Sequence, residues 1–217
     1  MPDFTAQRLN MVDAQVRTND VTDTRIHAAM RELPRERFVP ASRRALAYAD
    51  AAVEVAPNRY LLDPRTFAKL VQLAEVQPQD RVLDVGCATG YSSAVLARLG
   101  HTVFALEQDA DLVRVASEAL PAVGARNAIL VQGSLIDGAK GRGPFDVIFV
   151  NGAIAAAPDT LLGQLAEGGR LVAIMQPGTQ GRAHLFVKQN SVVGTRPAFD
   201  ATAPLLAGFK KSVGFVF

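Results

Sequence analysis

The stretch Arg81-Val82-Leu83-Asp84-Val85-Gly86-Cys87-Ala88-Thr89-Gly90-Tyr91 joins an apolar, β-branched run to a carboxylate and a turn with two glycines. The apolar run predicts a buried strand, and the glycines predict a tight loop with a helix that begins near Ser92. Gly86 permits a sharp turn and Gly90 permits close packing at the helix start, so backbone N–H groups can face a ligand. This arrangement is half of a nucleotide-binding βαβ unit.

The spacing of the glycines separates two classes of ligand. A dinucleotide site requires G-x-G-x-x-G, but Ala88 and Tyr91 occupy the second and third glycine positions. Asp84 lies two residues before the first glycine, where a carboxylate would repel a pyrophosphate and attract an ammonium group. The pattern D-x-G-x-x-x-G resembles motif I of the class I S-adenosylmethionine-dependent methyltransferases, whose ligand has a cationic methionyl end. The alternative is a plain strand-turn-helix with an incidental carboxylate.

Length and composition favour one α/β domain over residues 1–217. Within it, residues 1–80 are expected to form an N-terminal helical segment on the substrate side, and residues 81–217 a cofactor-binding core. The formal net charge is only +2 and no long basic run occurs, so composition does not favour nucleic acid as a partner.

The cysteine count and the hydropathy pattern indicate the cell compartment in which the protein is expected. Cys87 is the single cysteine, which forbids an intramolecular disulfide and fits a reducing compartment. No cysteine and histidine cluster has metal-ligand spacing, so no metal site is predicted. No run reaches the roughly 18 apolar residues of a membrane span. We therefore expect a cytoplasmic protein without a membrane partner.

Helical and strand patterns alternate along the chain. The two N-terminal helices are followed by a rigid connector, because each proline of Pro34-Arg35-Glu36-Arg37-Phe38-Val39-Pro40 fixes its own φ. Asp63-Pro64 predicts the start of another helix. Helices are predicted over 4–18, 22–33, 91–99, 109–120 and 158–166, strands over 81–85, 102–106, 128–131, 145–150 and 170–175, and edge strands within 183–217, including Val213-Gly214-Phe215-Val216-Phe217. Apolar runs separated by helices indicate a mostly parallel sheet covered on both faces.

Polar residues after the later strands complete a candidate cofactor site. Glu107 ends the second strand of the core, about 20 residues after the glycine loop, where a carboxylate can accept both ribose hydroxyls of an adenosine. The alternative is that Glu107 caps the next helix together with Asp109. Ser134 follows the third strand and can border an adenine. Asn151 ends the fourth strand and is expected to line the reacting centre.

Several segments resemble the protein L-isoaspartate O-methyltransferase family, and together they cover most of the chain. The proline-flanked connector followed by Ala47-Tyr48-Ala49-Asp50 is the most specific of them. The others are Met11-Val12, Ala29-Met30, Val82-Leu83-Asp84-Val85-Gly86, Gly90-Tyr91-Ser92-Ser93-Ala94-Val95-Leu96-Ala97, Pro144-Phe145-Asp146-Val147-Ile148 and Gln164-Leu165-Ala166-Glu167-Gly168-Gly169-Arg170-Leu171-Val172.

The resemblance implies a Rossmann-like seven-stranded methyltransferase sheet with added N-terminal helices. It also implies transfer of a methyl group from S-adenosylmethionine to the side-chain carboxylate of an L-isoaspartyl residue in a protein or peptide, as protein repair. No general base is expected, because a carboxylate is already a nucleophile at pH 7 and transfer depends on alignment and water exclusion. The implied cofactor residues are Asp84, Gly86, Cys87, Ala88, Gly90, Tyr91, Glu107, Gln108, Ser134 and Leu135, and the implied substrate pocket is Tyr60, Leu61, Leu62 and Asn151.

The sequence departs from the family pattern at four places. Ala88 replaces the middle glycine of G-x-G-x-G, and Ser134 replaces the aspartate of G-D-G after the third strand. Leu62 replaces the serine of T-I-S-Q-P, and a leucine can neither donate nor accept a hydrogen bond. Asn151-Gly152-Ala153 stands where the family has T-A-A. Two alternatives therefore remain open, namely a methyltransferase with another acceptor and a cofactor-binding module without isoaspartyl activity.

Overall fold

The computed structural model describes residues 3–209, which begin with two short helices as the sequence predicts. Helix α1 (Phe4–Met11) runs directly into a π-helix (Val12–Val16) and a 3₁₀ turn, so the helical path nearly fills the predicted range 4–18. Helix α2 spans Thr24–Glu32. Aspartates cap both helices: Asp3 accepts from the Ala6 amide and Asp23 from the Arg25 amide.

The segment between α2 and the core contains a small hairpin that the sequence did not predict. The connector is a 3₁₀ helix over Arg35–Phe38, and a second 3₁₀ helix covers Ala41–Leu46. Strands β1 (Val53–Ala56) and β2 (Arg59–Leu61) then pair antiparallel. Strands of four and three residues are too short to give a clear alternating pattern. The hairpin forms a sheet of its own, outside the main sheet.

Helix α3 (Pro64–Ala74) begins as Asp63-Pro64 predicts, and the carboxylate of Asp63 accepts from the Thr66 amide at 2.8 Å. The core elements follow. They are β3 (Arg81–Val85), α4 (Tyr91–Ala97), β4 (Thr102–Glu107), α5 (Ala110–Ala122), β5 (Ala128–Gln132), β6 (Phe145–Ile154), α6 (Asp159–Leu162), β7 (Leu165–Met175), β8 (Arg182–Gln189) and β9 (Val192–Asp200).

The main sheet has seven strands in the order β5-β4-β3-β6-β7-β8-β9. The first five of these strands are parallel, and β8 and β9 add antiparallel pairs at one edge. The predicted fold class, a mostly parallel Rossmann-like sheet with added N-terminal helices, is confirmed. The predicted edge strands are confirmed for β8 and β9, whereas Val213–Phe217 lies outside the described residues.

One predicted helix is wrong in its extent. The pattern predicts a helix over 158–166, but α6 ends at Leu162 and β7 already begins at Leu165. Leu165 pairs with Phe145 at the start of β6, and the Phe145 amide donates to the Gln164 carbonyl. Sheet pairing therefore overrides the local helical spacing of the leucines.

The central strands bury side chains on both faces, as their unbroken apolar runs predict. Along β6, successive buried side chains enter two different hydrophobic clusters. Val147 and Phe149 join the cluster that contains α3 and α4, and Ile148 and Val150 join the other. The carboxyl ends of β3, β4 and β6 therefore meet at one edge of a rigid layer, which positions the candidate site. Among residues 3–209, no helix is long and apolar enough to cross a membrane.

Candidate functional site

The loop after β3 is held against the end of β4. The amides of Gly86 and Cys87 both donate to the Leu106 carbonyl, at 2.9 and 3.1 Å. Gly86 has φ +81° and Gly90 has φ +98°, a region that glycine adopts without a Cβ clash. The sequence prediction of a sharp turn that leads into α4 is therefore confirmed, and the loop lies at the crevice between β3 and β6.

Asp84 is fully buried at this turn. Its Oδ2 accepts from the hydroxyls of Ser92 and Ser93, each at 2.6 Å, while Oδ1 has no hydrogen-bond partner among residues 3–209. Burial raises the pKa of the Asp84 carboxyl to about 6, and the two serine hydrogen bonds oppose that rise. Ser92 and Ser93 were not among the predicted site residues, although they open the predicted helix.

Asn151 on β6 lies beside the same group. Its Nδ2 donates to the Ser92 hydroxyl at 2.9 Å and to the Gly86 carbonyl at 3.3 Å, and its buried Oδ1 has no partner in the described part of the chain. Asp84 and Asn151 therefore each bring a buried oxygen acceptor without a donor next to Ser92. Such a pair suits a ligand with a donor-rich, cationic end.

Glu107 lies at the carboxyl end of β4, and its carboxylate is saturated by the protein. Arg59 donates to both oxygens in a bidentate pair, with Nη1 2.8 Å from Oε1 and Nη2 2.5 Å from Oε2. The backbone amides of Gln108 and Asp109 donate to Oε1, and the Ala88 amide donates to Oε2 at 2.9 Å. The side chains of Glu107 and Arg59 are 0 % and 7 % exposed. The side chain of Asp109 caps α5 by accepting from the Asp111 and Leu112 amides, whereas the amides that donate to Glu107 precede the first residue of the helix.

The segment Pro204–Phe209, called the closing segment below, covers the glycines of the crevice. Its Pro204 carbonyl accepts from the Ala153 amide, and its Leu206 amide donates to the Ala153 carbonyl. A Cβ on Gly152 would lie 2.6 Å from Leu206 Cγ. A Cβ on Gly86 would lie 3.2 Å from Leu206 Cδ2 and 3.4 Å from Arg59 Nη2. Leu206 and Arg59 therefore fill the space directly over the glycine loop.

The comparison with known proteins decides the family. The family model described as protein-L-isoaspartate(D-aspartate) O-methyltransferase matches residues 6–199. The chain belongs to this family. The curated protein-L-isoaspartate O-methyltransferase of Koribacter versatilis is 37 % identical, over 78 % of this chain and 76 % of the relative. The enzyme of the same name from Methanoculleus marisnigri is 34 % identical, over 88 % of this chain and 87 % of the relative.

Solved structures agree with the isoaspartate methyltransferase fold. One protein-L-isoaspartate O-methyltransferase structure is 25 % identical, with a TM-score of 0.78 over 95 % of this chain and 67 % of that one. A Plasmodium falciparum structure, described as a putative member in complex with S-adenosyl-L-homocysteine, has a TM-score of 0.79 over 95 % and 99 % of the two chains. At 19 % identity it supports the fold alone.

The structure places the other residues that the family resemblance marks for the cofactor. Cys87 is buried behind the glycine loop, and burial raises the pKa of its thiol. Tyr91 points into the core between Phe38 and Phe67. Leu135 is buried as well. Gln108 and Ser134 are exposed beyond the ends of β4 and β5. The glycine loop, Glu107 and Asn151 thus lie close together, whereas the side chain of Tyr91 packs in the hydrophobic core.

The predicted substrate pocket is largely closed. Leu61 and Leu62 are buried in the main hydrophobic cluster, at 2 % and 3 % exposure. The half-buried Tyr60 turns its hydroxyl towards Glu54, at 3.4 Å. An open cavity of about 930 Å³ begins one residue further on, at Asp63, and extends along the ends of β7, β8 and β9. The substrate roles of Tyr60, Leu61, Leu62 and Asn151 stay predictions.

Besides Ser92 and Ser93, two further residues of the site were not predicted from the sequence, namely Arg59 and Leu206. Arg59 is 48 positions from its partner Glu107, and it belongs to the unpredicted hairpin. Leu206 follows β9 in the segment Ala201-Thr202-Ala203-Pro204-Leu205-Leu206-Ala207-Gly208. Neither residue belongs to a motif, so the signals used to find the glycine loop could not mark them.

Proposed function

We propose that this protein transfers a methyl group from S-adenosylmethionine to the side-chain carboxylate of L-isoaspartyl residues in proteins. The observation that carries the proposal is the family match over residues 6–199 together with Glu107 at the carboxyl end of β4. The glycine loop after β3 and the carboxylate after β4 stand where the methyltransferase resemblance expects them. The curated relatives favour isoaspartate over another acceptor.

The polar groups of the crevice suit this cofactor, but side chains of the protein occupy the space in which it would bind. The partnerless oxygens of Asp84 and Asn151 would accept from the cationic amino group, and Glu107 would accept from the ribose hydroxyls. Arg59 and Leu206 lie over the same loop. The residues therefore fit the cofactor once those two side chains move aside.

The bound cofactor supplies a methyl group already activated by a sulfonium. The remaining work of the protein is to hold the acceptor carboxylate in line and to exclude water. Leu61 and Leu62, which are buried in the main hydrophobic cluster on the substrate side, would help to exclude water. No side chain has to remove a proton, because the acceptor is ionised at pH 7.

The cavity that begins at Asp63 is the proposed path of the protein substrate. It adjoins Leu62 in sequence and lies beside the N-terminus of α3. Its rim carries Arg65, Arg182 and His184. These groups give a substrate carboxylate favourable contacts, while Asp63 and Asp200 limit the net positive charge.

Methyl transfer onto an isoaspartyl peptide tests the proposal. The purified protein is incubated with methyl-tritiated S-adenosylmethionine and the peptide, and the same peptide with a normal aspartate is the matched control. We expect base-labile label on the isoaspartyl peptide only. Label in cell extract without label on the peptide would indicate a different acceptor. The sequence prediction of a cytoplasmic location stays a prediction, which cell fractionation tests.

A further inference from the structure

The pair formed by Arg59 and Glu107 occupies the contact that the proposed function reserves for the cofactor ribose. Both oxygens of Glu107 are fully used, and a bidentate arginine leaves no free lone pair for two hydroxyls. The pair is buried on both sides. A ribose can therefore reach Glu107 only after the guanidinium has left.

The two partners are not held equally. Glu107 keeps three backbone donors, from Ala88, Gln108 and Asp109, whether or not Arg59 is present. Arg59 lies on the three-residue strand β2, whose only strand partner in the described chain is β1. The carboxylate is thus fixed to the rigid sheet, and the guanidinium is carried by a small separate hairpin. A movement of that hairpin would free the carboxylate without displacing it.

The closing segment covers the same glycine loop as Arg59. It is attached to β6 through the backbone of Ala153 and through the Ala155 amide, which donates to the Phe209 carbonyl. Leu206 is 4 % exposed and packs into the second hydrophobic cluster over Gly86 and Gly152. Within residues 3–209, three backbone hydrogen bonds join this segment to β6, fewer than join neighbouring strands of the sheet, so we expect it to leave more readily than a strand.

We propose that Arg59 and the closing segment form an autoinhibitory closure of the cofactor crevice, and that S-adenosylmethionine binds only when both have moved away. This inference rests on the proposed function, because it names the regulation of the same site. Arg59 acts here as a positioning residue that competes with the ribose for Glu107. The wild-type affinity for the cofactor is then reduced by the fraction of molecules that are closed.

Calorimetric titration with S-adenosylmethionine measures the effect of removing the arginine. In Arg59→Gln the bidentate ion pair is lost and Glu107 keeps its backbone donors, so we expect the cofactor to bind at least about tenfold more tightly than to wild type. Arg43→Gln is the matched control, because Arg43 forms an exposed ion pair with Glu54 of the same hairpin. Its affinity should equal that of wild type. Equal or weaker binding by Arg59→Gln would overturn the closure at Arg59.

Because an uncompensated buried carboxylate can impair folding, thermal melting accompanies each titration. Leu206→Ala is the second variant, since it shortens the side chain over Gly86 and Gly152 without touching Glu107. It should also tighten cofactor binding. If neither variant gains affinity while both fold, the closure does not exist.

A tryptophan reporter tests whether the closing segment moves. The sequence contains no tryptophan, so Phe209→Trp introduces a single fluorophore at a half-buried position. Cofactor binding should shift its emission to longer wavelength as the segment leaves. Calorimetric binding without any emission change would show that the segment stays in place, which contradicts the proposal.

The two proposals fail in different ways. If wild type and the variants bind S-adenosylmethionine with the same affinity, the autoinhibitory closure fails and the proposed function stands. If no variant binds the cofactor at millimolar concentration, although each is folded, the proposed function fails and the closure fails with it.

Discussion

The guanidinium of Arg35 lies 4.7 Å from the centre of the Tyr91 ring. Arg35 is completely buried, and its Nε and Nη2 donate to the carbonyls of Ala47 and Leu62, both at 2.7 Å. Burial lowers the pKa of Arg35 relative to an exposed arginine, and the neighbouring Tyr91 opposes that shift. One side chain thereby joins the proline-flanked connector, the substrate-side segment and the helix after the glycine loop.

Replacing Arg35 by methionine should strongly destabilise the protein. The variant leaves two buried carbonyls without a donor at a cost of about 1–3 kcal/mol each, so we expect the free energy of unfolding to fall by about 2–6 kcal/mol. Urea unfolding followed by circular dichroism measures it. Arg37→Met in the same 3₁₀ helix is the control, because Arg37 is exposed and its replacement should change stability little. Similar losses in the two variants would contradict the role given to Arg35.

Local patterns predicted the central strands well, because β3, β4 and β6 are buried on both faces and therefore form nearly unbroken apolar runs. Residues 81–85 were predicted with the observed bounds, and Asp63-Pro64 marked the start of α3. The contacts at the site depend instead on residues far apart in sequence. Arg35 donates to the Leu62 carbonyl, and Arg59 forms an ion pair with Glu107. Neither contact produces a periodic pattern in the sequence. The division at residue 80 stays a prediction.

The stability of the protein should depend on the ionisation of Asp84. Its pKa is raised to about 6 by burial, whereas an unfolded aspartate titrates near 3.8. Between these two values the folded state binds more protons than the unfolded state, so stability falls as pH rises from about 4 to about 6 and is then constant. A rise in pKa from 3.8 to about 6 lowers the free energy of unfolding above pH 6 by about 3 kcal/mol.

Asp84→Asn removes that dependence. Relative to wild type, the variant should gain up to about 3 kcal/mol in the free energy of unfolding between pH 4 and pH 7. Urea unfolding at four pH values measures this difference. Asp137→Asn is the control of opposite sign, because the hydrogen bond from Lys140 lowers the pKa of Asp137. A flat difference for Asp84→Asn would show that Asp84 is ionised throughout.

Ala88 is a non-glycine residue in the left-handed region, with φ +51°. Ala88→Gly relieves a strain of about 1–2 kcal/mol, but the more flexible unfolded chain offsets about 0.4–1 kcal/mol of it. We expect a change in stability of no more than about 1 kcal/mol and unchanged or modestly tighter cofactor binding. Melting and calorimetry measure both. Ala94→Gly within α4 is the control and should destabilise by roughly 0.5–1 kcal/mol. A loss of affinity beyond about tenfold in Ala88→Gly would show that the alanine methyl contacts the cofactor.

Leu62 stands where the family has a serine, so its replacement tests the substrate side of the site. A hydrogen bond to a charged group contributes about 1.5–3 kcal/mol. Leu62→Ser should therefore raise kcat/KM on an isoaspartyl peptide by roughly 10- to 100-fold. The same change removes a buried leucine, which is 3 % exposed, and should lower stability by about 2–5 kcal/mol. Assays therefore have to be run well below the melting temperature.

The neighbouring Leu61→Ser separates the hydroxyl from the loss of packing. Leu61 is 2 % exposed and lies in the same hydrophobic cluster, so both variants should lose a similar amount of stability. In the family pattern T-I-S-Q-P the serine corresponds to position 62 and not to position 61, so we expect only the hydroxyl at position 62 to meet the substrate carboxylate. A gain in kcat/KM for Leu62→Ser but not for Leu61→Ser would support a hydrogen bond from position 62 to the substrate carboxylate, as the family serine makes. Equal losses of activity in the two variants would show that position 62 is part of the core and that the isoaspartyl carboxylate is bound elsewhere.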